Sequence, residues 1–348
     1  MSHKFNHIWR LADGFPAKGI KPNNLKVFGT FVCGGGSAMG YKLAGFDYLG
    51  GVEIDPKVAA IYKENLKPKY LFVDDIRDFN KREDLPEELY RLDILDGSPP
   101  CSTFSFSGQR EKAWGKSKQF AEGQKHQRLD DLVFVYCDTI KKFMPKVCLL
   151  ENVYGLVQGN GKVYTKEIVR LLDSAGYRVQ VFLLNASAMG VPQNRIRCFI
   201  IGLNKQFNLP PLKLDFNEKP ILFKEIKDGN GELITGEKTL LAWNNRRPTD
   251  QHIGMTNIRV LGKKSNFNTL YAKDDKVLGA LTASAQMVLY SEPKKMSHTE
   301  MMKAATFPVD YDAPKGKIQF LTGMCVPPIM TAQIATQIYE QWLSKLED

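Results

Sequence analysis

The sequence contains no Cys-x-x-Cys pair and no Cys/His spacing of the zinc-binding kind; its six cysteines, at positions 33, 101, 137, 148, 198 and 325, are scattered along 348 residues. This pattern argues against a disulfide framework and a structural metal site. No metal is expected, and most of the thiols should be small buried hydrophobes. Nor is there a run of about eighteen consecutive apolar residues, the length a membrane-spanning helix needs. The opening MSHKFNHIWRLADGF lacks the apolar core of a secretory signal, so a cytoplasmic protein without membrane contact is expected. Internal repeats and low-complexity tracts are also missing.

What is present suits one sizeable core and a smaller second lobe, since 43% of the residues are hydrophobic in a chain at the length where single cores stop growing. Lys and Arg exceed Asp and Glu by 48 to 38, a formal charge of +10. That excess favours a polyanionic partner, through phosphate contacts and counterion release.

Short apolar runs at Leu25–Phe31, Tyr48–Ile54, Tyr70–Val73, Leu92–Leu95, Val147–Leu150, Val179–Leu184 and Cys198–Leu203 have the length and branched or aromatic content of buried strands. Between them lie helical patterns. The three- and four-residue spacing of Leu129, Leu132, Val133, Tyr136, Ile140 and Phe143 predicts a helix that stops before Pro145, and Ile168 to Leu172 predict another, capped near Gly176. Strands alternating with helices predict an α/β, doubly wound, mostly parallel sheet with ligands at the carboxyl ends of its strands. From Lys205 to about Tyr290 the chain turns Asn-, Lys- and Gly-rich, which predicts a smaller, irregular β-rich domain over 205–290. Helical spacing returns at Ile329, Ile334, Ile338 and Trp342, so 291–348 should rejoin 1–204 in the larger domain.

After the first predicted strand, Gly34, Gly35 and Gly36 allow a tight turn and close approach of the backbone to a ligand. The strict GxGxxG spacing of dinucleotide sites is absent. Glu53 ends the second strand at a distance suited to ribose hydroxyls, and Asp75 follows the third, where a carboxylate can accept from an adenine amino group; an adenosyl ligand fits better than a pyrophosphate. The fourth strand runs into DGSPPCSTFSFSG, where two prolines stiffen the turn before Cys101 and should present its thiol at the sheet edge. The polar, basic stretch that follows suits a lid closing on a phosphate backbone. Glu151 and Asn152 end the fifth strand on the same edge, where a shielded carboxyl can donate to a ring nitrogen. Arg195 and Arg197, two apart at the mouth of a strand, should point to one face as fork donors to a carbonyl or phosphate.

The ordered set FVCGGGSAMGYKLAGF, GVEIDP, DDIRD, GSPPCSTFSFSG, PKVCLLENVYGL, GVPQNRIRCFIIG and GMCVPP resembles the cytosine-C5 DNA methyltransferase family over nearly the whole chain. The resemblance implies a domain that binds S-adenosylmethionine, formed by 1–204 and 291–348, and a target-recognition domain at 205–290. It implies Cys101 as the nucleophile, Pro100 orienting it, Glu151 bonding the cytosine at N3 and its amino nitrogen, Arg197 holding O2, and Arg195 bracing the loop beside it. Phe31, Gly34, Gly35, Gly36, Glu53, Ile54, Asp75, Ile76, Leu132, Cys325 and Val326 are the implied donor contacts, and Ser105, Ser107, Gln109 and Arg110 the implied DNA contacts. Three positions depart from the family pattern: Cys33 replaces a turn glycine, Thr299 a bracing arginine, and Met324 an asparagine. Met324 is expected to fill an apolar gap in place of the lost amide contacts.

The implied reaction is attack of the thiolate on cytosine C6, methyl transfer to C5, loss of the C5 proton and elimination of Cys101, on a base flipped out of the duplex. The implied partner is double-stranded DNA, with a cognate restriction endonuclease in the same system, and the protein is expected to act as a monomer. Two other readings are a tRNA cytosine-C5 methyltransferase, which shares the catalytic set, and a catalytically silent DNA-binding protein on the same scaffold. The insert favours reading a duplex groove.

Overall fold

The computed structural model describes residues 3–100, 131–159, 161–263, 265, 269–284 and 286–346. Its contacts divide the chain into two compact units. The larger comprises Phe15–Leu184, Ile196–Asp215 and Thr331–Asp348, the smaller Met1–Gly14, Asn185–Arg195 and Phe216–Met330. These boundaries differ from those expected at 205 and 290, because the first fourteen residues, 185–195 and 291–330 pack with the smaller unit, and 205–215 with the larger.

The larger unit is built on a seven-stranded sheet. Its elements are β1 (Lys26–Thr30), α1 (Gly36–Leu43), β2 (Asp47–Glu53), α2 (Pro56–Leu66), β3 (Tyr70–Val73), α3 (Ile76–Lys81), β4 (Ile94–Gly97), α4 (Leu132–Phe143), β5 (Val147–Val153), α5 (Gly161–Ser174) and β6 (Tyr177–Asn185). β7 (Gln193–Asn194) belongs to the smaller unit, and β8 (Ile196–Asn204) returns to the sheet, whose order is β3-β2-β1-β4-β5-β8-β6. Pairings among the first five strands are parallel, and β8 lies antiparallel to β5. The order reverses between β1 and β4, the switch point at which open α/β sheets bind ligands.

Every apolar run predicted as a strand lies in this sheet, and for the five central strands the reason is burial on both faces, whereas the edge strands β3 and β6 leave Val73, Val181 and Leu183 exposed. Phe28, Leu49, Leu95, Cys148 and Ile200 sit in one core with Phe79 and Tyr136 from the covering helices, so near-continuous apolar strands are favoured over alternating ones. Helix ends follow local chemistry. Asp55 caps α2, accepting from the Lys57 and Val58 N–H groups with Pro56 at the first helical position. α4 ends at Met144 in the left-handed conformation, immediately before Pro145. The C-terminal segment returns as expected: within the larger unit, Tyr339 meets Phe46 edge-on at 6.3 Å and the Trp342 indole donates to the Pro210 carbonyl at 2.8 Å. The stretch Lys315–Lys345 reaches the length and mean hydropathy of a membrane span, and 83% of its most apolar window is buried, as in a core helix.

The smaller unit contains α6 (Glu237–Asn244), α7 (Ile253–Leu261), the two-residue strands β9 (Tyr271–Ala272), β10 (Leu278–Gly279) and β11 (Val288–Leu289), then α8 (His298–Ala304) and α9 (Lys315–Met324); α10 (Pro328–Gln341) begins in it and ends in the larger unit. The expectation of an irregular lobe holds, but β-rich is corrected: among the described residues two helices carry most of the regular structure of 205–290, beside three two-residue strands. They form because Ala242 and Ile253 bury against Ile234, Tyr271 and Val288, a tertiary gain that outweighs weak local propensity. Buried Glu300 organises this unit further. It completes the capping box of α8 with Ser297 and accepts the Asp228 and Gly229 N–H groups at 2.9 and 3.0 Å. Thr299, where the family arginine was expected, is its half-buried neighbour.

Candidate active site

At the carboxyl edge of β1, β2 and β3 the chain makes three close turns. After β1, Phe31 and Cys33 adopt positive φ angles of 58° and 47°, and Gly35 follows at 79°. Only Gly35 suits that conformation without strain, and a Cβ there would meet the Leu66 side chain at 2.4 Å. The turn brings the Cys33 N–H to the Glu53 carboxylate at 2.9 Å, while the other Glu53 oxygen accepts from the Asp55 N–H at 2.9 Å. Burial pushes the Glu53 carboxyl above its ordinary range, and these backbone donors oppose the rise.

A narrow cleft opens beside this turn, at the carboxyl ends of the strands where open α/β sheets bind ligands. Of the implied donor contacts, Phe31, Glu53, Ile54, Asp75, Ile76 and Leu132 line it, and so does Pro100. Val52 and Asp74 complete the lining; neither was singled out, although each adjoins a residue that was. Asp75 also caps α3, accepting from the Arg77 N–H at 2.8 Å. Among the described residues the lining thus combines an apolar slot with three carboxylates, two of them paired to arginines behind the cleft, Asp75 to Arg77 at 3.4 Å and Asp74 to Arg82 at 3.9 Å. That chemistry suits a cationic ligand with a flat ring and hydroxyl or amino donors, and disfavours a pyrophosphate. Cys325 and Val326 are buried in the smaller unit and are not among the lining residues.

One strand over, sheet register assembles a second group. Val153 lies opposite Arg197 on the antiparallel β5–β8 pair, and Glu151 sits two residues back on the same face. The Arg197 Nε meets the Glu151 carboxylate at 3.1 Å, with both side chains largely buried. Burial draws the Arg197 guanidinium down from its ordinary value, and the Glu151 charge opposes this. Asn152 joins the two groups: its side-chain amide donates to the Pro99 carbonyl at 3.2 Å and its oxygen accepts the Val153 N–H at 2.8 Å. It fastens the Pro99–Pro100 turn, one side of which lines the cleft. Cys101, Ser105, Ser107, Gln109 and Arg110 lie outside the described residues.

Arg195 corrects the expectation of two matched forks. The strand breaks at this residue, between β7 and β8, so the two-residue alternation does not carry across it. Arg195 is 2% exposed and donates to the main-chain carbonyls of Leu281, Gly323 and Cys325 at 3.0–3.1 Å. It therefore braces the smaller unit from within. Met324 is 46% exposed and does not fill an apolar gap.

Sequence reasoning also passed over Asp96. Its carboxyl is buried, 3.3 Å from the Tyr41 hydroxyl and bonded by Ser37. Burial first, and the Glu151 charge second, push it up to about 7. It opens the motif DGSPPCSTFSFSG, immediately after the apolar run Leu92–Leu95, but nothing local signals that its carboxyl is buried inside β4. The thiols behave as expected: Cys137, Cys148, Cys198 and Cys325 are buried, and burial raises Cys137 and Cys198 to about 12. Among the described residues, no His, Cys, Asp and Glu cluster has a metal-binding arrangement.

The chain is 32% identical over 203 residues to the type II methyltransferase M.FnuDI of Fusobacterium nucleatum, covering 58% of this chain and 53% of that protein. It is 34% identical to the type II methyltransferase M.Bsp6I of Bacillus sp. strain RFL6, covering 59% of this chain and 62% of that protein. The matched region spans less than two thirds of either relative. The fold is shared with a Spodoptera frugiperda DNMT2 mutant at a TM-score of 0.65 and 15% identity, over 91% of this chain and all of that one. The family model described as C-5 cytosine-specific DNA methylase matches residues 25–340, and this chain belongs to that family.

Proposed function

We propose that this protein transfers a methyl group from S-adenosylmethionine to C5 of a cytosine flipped out of duplex DNA. One observation carries the reading: the turn that lines the carboxylate-bearing cleft through Pro100 is fastened at Pro99 by Asn152, the chain neighbour of the Glu151 that pairs with Arg197. When bound, the donor supplies a methyl group on a positively charged sulfur. Phe31, Ile76 and Leu132 would supply an apolar slot for its adenine, Glu53 would accept from its ribose hydroxyls, and the lining carboxylates would favour its positive charge.

On the base, the Cys101 thiolate adds to C6, which makes C5 nucleophilic. Glu151 donates or shares a proton at N3, and Arg197 bonds O2, so that the negative charge developing on the ring is stabilised. Loss of the C5 proton and elimination of Cys101 then restore the ring. Flipping costs about a few kcal/mol, offset by phosphate contacts. Residues of the smaller unit read the target sequence. The type II designation of the relatives supports a restriction endonuclease of matching specificity as a functional partner, with the methyltransferase itself a monomer.

A duplex carrying 5-fluorocytosine tests the mechanism, because fluorine cannot leave as a proton does. The parent protein should form a stable covalent adduct in the presence of donor, and Cys101→Ser should form none while binding the demethylated donor product normally. An adduct with the serine variant, or none with the parent, removes the nucleophile assignment. Adduct formation only on tRNA carrying the same base favours RNA as the substrate.

A further inference from the structure

The connection between α6 and α7 in the smaller unit, Asn245–His252, has a backbone fastened from several sides. Asp250 is 2% exposed, and its carboxylate accepts from the Arg247 N–H at 2.9 Å, the Thr256 hydroxyl at 2.8 Å and both terminal nitrogens of Arg259 at 2.9 and 2.8 Å. Arg259 also donates to the Asn245 carbonyl at 2.6 Å, and the Lys273 ammonium to the Pro248 carbonyl at 2.6 Å. The Gln251 carbonyl accepts from the Tyr271 N–H at 3.0 Å. Ordering a loop costs entropy, and here buried side chains meet that cost before any ligand arrives.

Two adjacent arginines in this connection have opposite fates. The Arg246 guanidinium lies 3.5 Å from the centroid of the Trp243 ring and 4.8 Å from that of Tyr290, and it donates to the carbonyls of both residues. It is a brace. Arg247 is exposed, and its guanidinium makes no hydrogen bond or ion pair among the described residues; the same holds for the exposed side-chain amides of Asn244 and Gln251. Guanidinium and carboxamide are the groups that pair bidentately with purine edges, arginine with O6 and N7 of guanine and Asn or Gln with N6 and N7 of adenine. Such side chains also bond phosphates, but the two-point geometry of a base edge needs them held on a fixed backbone, as Arg247 and Gln251 are in this loop and Asn244 is at the end of α6.

We infer that this loop is the base-reading element of the smaller unit, with Arg247 reading a guanine in the major groove and Asn244 and Gln251 reading adjoining bases. The inference rests on the DNA-cytosine reading above and names the residues that set its specificity.

The test is methylation of a plasmid library with randomised bases around a cytosine, followed by bisulfite sequencing, for the parent, Arg247→Ala, Arg247→Lys, Asn244→Ala and Gln251→Ala. Melting temperature and affinity for the demethylated donor product report on folding. Both Arg247 variants should fold as the parent does and lose about tenfold or more of the preference for guanine at one position, since lysine keeps the charge without the fork. The amide variants should relax neighbouring positions instead. A uniform fall in rate for Arg247→Ala that Arg247→Lys restores would make Arg247 a phosphate contact and overturn the inference. An unchanged sequence pattern in all four variants would overturn it as well. A folded, donor-binding parent that methylates no cytosine in the library would remove the DNA reading itself, and this inference with it.

Discussion

Asp96 ends one residue short of the β4 edge, on the same sheet face as Glu151: it lies opposite Leu149 on β5, and Glu151 follows two residues later. Its carboxyl titrates near 7 in the folded protein and near the ordinary carboxylate value of about 4 when unfolded. Between those values the folded state holds a proton that the unfolded state has lost, so stability falls as pH rises from about 4 to 7 and then levels off. Removing the charge with Asp96→Asn should stabilise the protein, and by more at pH 8 than at pH 5. Melting temperatures of parent and variant across that range measure it; a constant gap would mean that Asp96 is already ionised at pH 5. The same scale shows what residue type leaves open. Arg195 and Arg197 are alike in sequence, as are Arg246 and Arg247, yet in each pair only the structure separates the arginine spent on main-chain carbonyls from its neighbour. The difference is a carbonyl or a ring within reach, supplied by distant segments such as Leu281, Cys325 and Tyr290.

At the scale of elements, strands were legible and the helices of the smaller unit were not. Five of the seven apolar runs became central strands because burial on both faces demands continuous apolar sequence, and the other two became the half-exposed edge strands β3 and β6. Helices α6 and α7 lie in a segment whose Asn and Gly content argues against helix, and they depend on the Asp250–Arg259 arrangement and on packing against Tyr271 and Val288. The Arg259 guanidinium holds the Asp250 carboxyl well below the usual carboxylate range. Asp250→Ala leaves the guanidinium, the Thr256 hydroxyl and the Arg247 N–H without their acceptor. It should lower the melting temperature by on the order of 5 °C and loosen the α6–α7 connection. Hydrogen exchange should be faster at Arg247 and Tyr271, with β4 and β5 unaffected; equal protection in variant and parent would show that the loop is held by other contacts.

For the whole molecule, the formal charge of +10 bears on DNA affinity more than on the fold. With about six phosphates contacted, affinity for duplex of arbitrary sequence should fall on the order of a thousandfold between 50 and 200 mM salt. Fluorescence anisotropy at several salt concentrations measures the slope, and a flat response would remove phosphate contacts as the source of affinity. The strand runs of the larger unit, the glycine turn and the acids at strand ends were determined by sequence alone, because each follows from local periodicity or from the φ angles a residue tolerates. Only the tertiary structure decided which acids share a cleft, which residue fastens the Pro99–Pro100 turn, and which arginines are free to meet a base. Those outcomes depend on groups far apart in the chain, such as Asn152 with Pro99 or Arg195 with Cys325, whose meeting is set by strand order and packing.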